Sequence, residues 1–165
     1  MKLVQKRGKS FTFHVGTREK RLLFQVLGLY PLIPNTHHRL SRFTGPEEIA
    51  DAQRLLEEAL AAQKRDSRKQ LETMLAEPGR FKVASDGFRF ALNRTQAEWL
   101  LQVLNDVRVG SWLMLGEPDE KSSRKVEIDE KATRYLLAME YCALLQSVLL
   151  RAISGMDAGG GETSA

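Results

Sequence analysis

A chain of 165 residues, 42% hydrophobic and 28% charged, has the balance of one globular domain and excludes a disordered or fibrous protein. The single cysteine, Cys142, excludes an internal disulfide and any cysteine cluster for zinc or iron–sulfur. The net charge of +4 is uneven, because residues 1–45 hold nine Lys and Arg against one acid, Glu19. A phosphate-bearing partner would therefore meet the N-terminal end, although a solvated basic arm is the simpler reading.

Lys2, Lys6, Arg7 and Lys9 open the chain with no apolar stretch behind them, which argues against a secretory signal peptide. Ser10 to Val15 alternates, with Phe11, Phe13 and Val15 on one side, the period of a half-buried strand. Thr17 is placed to cap a helix running from Arg18 to Leu29, and Pro31 and Pro34 stop it. The segment Asn35 to Gly45, with His37 and His38, lacks periodicity and reads as a loop; an adjacent histidine pair without nearby ligands does not make a metal site. His14 is expected on the polar face of its strand.

Pro46 suits the first turn of a new helix, with Glu47, Glu48 and Asp51 at its positive end. The helical pattern continues to about Glu77. Its middle, residues 63–70, is nearly all polar, which fits either one helix with a solvated turn or two helices meeting near Asp66–Ser67. Asp86-Gly87 is a preferred hairpin turn pair, and predicts Ser85 opposite Phe88, Val83 opposite Phe90 and Phe81 opposite Leu92. That register collects Phe81, Val83, Phe88, Phe90 and Leu92 on one face.

From Arg94 the period becomes 3.6, with Asn93 or Thr95 as N-cap and Glu98 completing a box with Thr95. This helix runs to Gly116, and a charged loop separates it from a last helix over 129–153. Between Tyr135 and Ile153 the strongly polar residues are Glu140, Gln146, Ser147 and Arg151. A helix so apolar is central to a core or covered by another molecule. A membrane span is disfavoured, since Glu140 and Arg151 would each cost roughly 2.5–3.5 kcal/mol near a bilayer centre.

No nucleophile elbow or phosphate-binding loop motif occurs, and Cys142 within an apolar helix is expected to be inert. No catalytic, cofactor-binding or metal-binding residue is assigned. Asn105, Asp106, Arg108 and Glu140 interrupt apolar helices and form a candidate structural polar cluster, with Arg108 or Arg134 the natural partner of Glu140. Lys6, Arg7, Lys9, Lys82 and Arg89 form a candidate phosphate-contacting patch. A winged-helix reading meets a geometric objection, because some fifteen residues separate the first two helices and the second is too long.

The helix Ala97–Gly116 with its Leu104-Asn105-Asp106-Val107-Arg108 run, followed by the final apolar helix Ala132–Ile153, resembles the bacterial family catalogued as domain-of-unknown-function family 2017. The resemblance implies a bacterial, cytoplasmic protein and supplies no catalytic residue. The expected fold is α+β, predominantly helical, with a small three-stranded antiparallel sheet (strand plus β-hairpin) packed on a helical bundle. Residues 1–154 form one domain and 155–165 a disordered tail. The expected function is a non-enzymatic cytoplasmic interaction or regulatory protein that self-associates, as a dimer or with a protein partner, through its apolar C-terminal helices. The alternative is a nucleic-acid-binding regulator using the basic N-terminal half; no cofactor and no membrane enter either reading.

Overall fold

The computed structural model describes residues 1–37, 46–118 and 129–155. Its elements in chain order are β1 (Lys2–Arg7), β2 (Ser10–Val15), α1 (Thr17–Leu27), a 3-10 turn (Asn35–His37), α2 (Pro46–Ala76), β3 (Phe81–Ala84), β4 (Gly87–Asn93), α3 (Arg94–Met114) and α4 (Glu130–Ser154). The fold is α+β and mostly helical, as expected, but its antiparallel sheet has four strands in the order β1-β2-β4-β3. His38 and the tail 156–165 lie outside the described residues, as does most of the charged loop before α4.

The added strand is β1. Its sequence KLVQKR hides the period of 2, because the pairing with β2 slips by one residue between Leu3 and Gln5. This bulge lets Leu3 turn inward while Val4 stays 45% exposed, so two adjacent apolar residues serve opposite sides. A charged edge strand of this kind also discourages pairing with another chain.

The hairpin forms with a register two residues away from the expected one. Phe81 faces Phe90 and Val83 faces Phe88, with Ser85-Asp86 as the connection. An even slip preserves the parity of each position, so Phe81, Phe90 and Leu92 pack into the core as expected, but Val83 near the end of edge strand β3 is 84% exposed and does not join them. Gly87 is needed for a different reason than a turn. Its φ is +153°, and a Cβ there would lie 2.4 Å from the Val15 carbonyl oxygen on the neighbouring strand.

One sheet face is dry. Phe11, Phe13, Val15, Phe90 and Leu92 are each 1% exposed or less, beneath Leu23, Val26 and Leu27 of α1 and the apolar faces of α3 and α4. Phe81 stacks on Phe90 at 4.7 Å between ring centres, and the Lys20 ammonium sits 3.9 Å from the Phe88 ring centre at the rim. Asn93 caps α3 by accepting from the Gln96 N–H at 2.8 Å, while the Gln96 side chain accepts from the Asn93 N–H; the Thr95–Glu98 box is therefore not the one used. Gly16 rather than Thr17 is the N-cap of α1, its N–H held by Glu19 Oε2 at 2.8 Å. Burial alone would raise the Glu19 pKa, but that bond and the chain's amino terminus beside it hold the carboxyl below its ordinary value. α2 is one unbroken helix, anchored by buried Leu71 and Met74.

Candidate binding surfaces

The predicted polar cluster separates into different roles. Asp106 is buried in α3, and its Oδ1 accepts from the Leu32 N–H at 2.6 Å and the Ile33 N–H at 3.2 Å. Lys64 of α2 lies 3.8 Å from Asp106 Oδ2 and donates to the Ile33 carbonyl. Arg68, one turn further, donates to the carbonyls of Tyr30 at 2.6 Å and Gly28 at 3.1 Å and pairs with Glu72. The segment 28–34, broken from helical form by two prolines, thus finds its backbone partners in three charged side chains. Burial, reinforced by the Asp106 charge and opposed by a hydrogen bond with Ser67, raises the Tyr30 phenol above its ordinary pKa.

This clamp opens onto a cleft of about 520 Å³, with Pro31–Asn35 on one wall and Lys64, Arg65, Arg68 and Lys69 on the other. Two of these four cations are committed to the loop backbone. The inward role of Lys64 and Arg68 was hidden in the sequence by the polar run 63–70, which reads equally well as a solvated turn. The available signal was their spacing of four, which places both on one side of a helix.

Asn105 is exposed, and Arg108 donates to Gln146 Oε1 of α4 at 3.2 Å. The expected pair of Glu140 with Arg108 or Arg134 is not formed; Glu140 is exposed and has no ion pair among the described residues. The reason is helical geometry. Arg108 meets α4 at Gln146, and Glu140 lies six residues, about 9 Å, further along the axis.

The basic residues divide between the two faces of the sheet. Lys6 pairs with inward-facing Phe11 and reaches the helical side, where its ammonium donates to the Ala152 carbonyl at 3.1 Å near the negative end of α4. Lys9 occupies the β1–β2 turn. Lys82 and Arg89, by contrast, stand directly opposite each other on the open face, and Arg7 faces Ser10 on the same side. The same register row continues through His14, opposite Arg89, to Lys2, opposite His14. Lys2 and His14 were not in the expected patch; Lys2 joins the row because β1 is a strand, and His14 joins it through the pairing of β2 with β4.

α4 buries Ala138, Tyr141, Cys142, Leu145 and Leu149 against the sheet and α3. Its other side leaves Leu137, Leu144 and Leu150 exposed, by 51%, 64% and 55%, around Glu140 and Arg151. By length and composition α4 could cross a membrane, but a third of its apolar window is buried in the fold. Burial pushes the Cys142 thiol up to about 12, so the thiolate required for nucleophilic chemistry is suppressed. Among the described residues no cluster of His, Cys, Asp and Glu converges on a metal position.

No curated protein and no solved structure matches this chain. The family described as "Domain of unknown function (DUF2017)" matches residues 31–153. That span contains α2, the hairpin, the Asp106 helix and α4, and leaves β1, β2 and α1 outside it. With most of its length covered, including the run Asn105-Asp106-Val107-Arg108 whose acid holds the 28–34 loop, the chain belongs to the DUF2017 family.

Proposed function

We propose that this is a non-enzymatic cytoplasmic interaction protein that forms a dimer through the outer face of α4. The observation that carries the reading is the exposure of Leu137 and Leu144, which lie seven residues apart on one line of that face, with Leu150 exposed about 120° away round the helix. Large apolar side chains grouped on one helix face favour a protein contact over water. The occupant is a second copy, because the stripe is self-complementary in charge. Glu140 and Arg151 share it and have no ion pair within the chain among the described residues; Arg151 makes a 3.4 Å contact with Ser147. An antiparallel pairing about a two-fold axis near residues 145 and 146 sets each Glu140 against the Arg151 of the other copy, with Leu144 beside the axis.

A stable interface needs about 800 Å² per partner. The 25 residues of α4 give a face about 37 Å long. The adjoining groove between α1 and α4, lined by Leu22, Leu29, Arg134 and Leu137, widens it. Light scattering after size exclusion, at low and high salt, tests the reading. The expected species has twice the 18.7 kDa of one chain. Leu144→Glu should give a monomer, Glu140→Arg should weaken the dimer, and adding Arg151→Glu to Glu140→Arg should restore it. A monomer at every accessible concentration would overturn the proposal, as would partition of the wild type into lipid vesicles through this face.

A further inference from the structure

We infer that the open face of the sheet is a docking surface for the phosphate backbone of a nucleic-acid duplex, with Lys2, Arg89 and Lys82 as the contacting residues. The inference is independent of the dimer, which uses another face. Three registers, Lys2 with His14, His14 with Arg89 and Arg89 with Lys82, align these four side chains in one row across all four strands. At about 4.8 Å per strand the row spans roughly 14 Å, and that length of duplex axis carries about eight phosphate charges. Arg7 extends the basic surface along β1.

The row runs against the ordinary rule for sheets, in which like charges directly opposed across strands destabilise the pairing. Arg89 and Lys82 are opposed in this way, and neither they nor Lys2 have an ion pair among the described residues. The acid nearby, Asp86, is taken by His14, with Nε2 and Oδ1 2.8 Å apart. A polyanion lying across the row would relieve the repulsion that the fold itself leaves in place.

The rest of the face selects among anionic partners. The outward positions beside the row include Gln5, Ser10, Thr12, Ala84, Ala91 and Asn93, the exposed edge-strand residues Val4 and Val83 flank it, and none of these is aromatic. Single-stranded nucleic acid is held by bases stacked on aromatic side chains, which this face lacks. Membrane-surface binding uses Trp, Phe or Leu to enter the headgroup region, and these are missing from the face as well. A rigid line of cations without stacking groups suits the backbone of a duplex, read without sequence preference.

Fluorescence anisotropy with a labelled, mixed-sequence DNA duplex tests this on the full chain. With three phosphate contacts, raising salt from about 50 to about 200 mM should weaken binding roughly 40-fold. Lys82→Gln with Arg89→Gln should lower the affinity at every sequence and reduce the logarithmic salt slope by about two. Because these side chains are exposed, the variants should melt no lower than the wild type, whereas Lys6→Gln, on the other face, should bind DNA as the wild type does. Three results would each overturn the inference: no binding at low salt, binding unaffected by the double variant, or tighter binding to anionic phospholipid vesicles or to single strands than to duplex.

Discussion

At Asp106 one carboxylate serves a whole loop, holding two backbone N–H groups through Oδ1 and facing the Lys64 ammonium through Oδ2. Removing it leaves those two donors without their acceptor and the largely buried Lys64 ammonium without its opposite charge. Asp106→Ala should cost about 2–4 kcal/mol, read as a lower urea midpoint, while Asp106→Asn, which keeps one acceptor, should cost less. If Ala were neutral, water would be satisfying the loop and the clamp would be idle. The sequence marked Asp106 as an unusual acid in an apolar helix but placed it in a cluster with Arg108 and Glu140. Arg108, two positions along the same helix and so on a different side, meets Gln146 instead, and Glu140 is exposed with no ion pair among the described residues. The true partners, the backbone of residues 32 and 33 and Lys64, are far away in sequence, and no local pattern encodes such a meeting.

Among the elements, α3 contains Gly110, which a free-standing helix would replace with advantage. Helix propensity favours Ala over Gly by about 1 kcal/mol. Here a Cβ would stand 2.6 Å from Leu32 Cβ and 2.9 Å from the Leu32 carbonyl carbon, so the loop held by Asp106 occupies that space. Gly110→Ala should therefore lower the melting temperature instead of raising it, and a stabilised variant would show that the loop yields easily. The hairpin teaches a related lesson. Asp86-Gly87 reads as a turn pair, yet the glycine is required by the close passage of Val15, a neighbour supplied by another strand. α2 is the converse case, since its polar middle suggested a break while the helix runs through and turns Lys64 and Arg68 to the loop.

For the molecule as a whole, a single-sided sheet under helices buries both a thiol and a phenol that must stay neutral. Burial pushes the Cys142 thiol from 9.0 up to about 12, and the Tyr141 phenol, donating to the Glu19 carbonyl at 3.1 Å, from 10.0 up to about 12. Both folded values are raised, so the stability tied to their neutral forms is complete below about pH 9. It is lost as pH rises from there towards 12, because the unfolded chain ionises first. Urea midpoints should fall across that range, and Cys142→Ala should flatten the part of the fall due to the thiol. Unchanged pH dependence in that variant would mean the thiol is less buried than it stands here. The native thiol should also resist alkylation at neutral pH. The sequence by itself determined the α+β class, the hairpin's apolar face apart from the exposed Val83, the ends of α4 and the family, because each rests on periodicity, capping or a local run of residues. Only the tertiary structure decided the fourth strand, the partners of Asp106, and which basic residues share a face. Those outcomes depend on register and on contacts between distant segments, where a bulge of one residue at Val4 is enough to bring Lys2 into line with His14, Arg89 and Lys82.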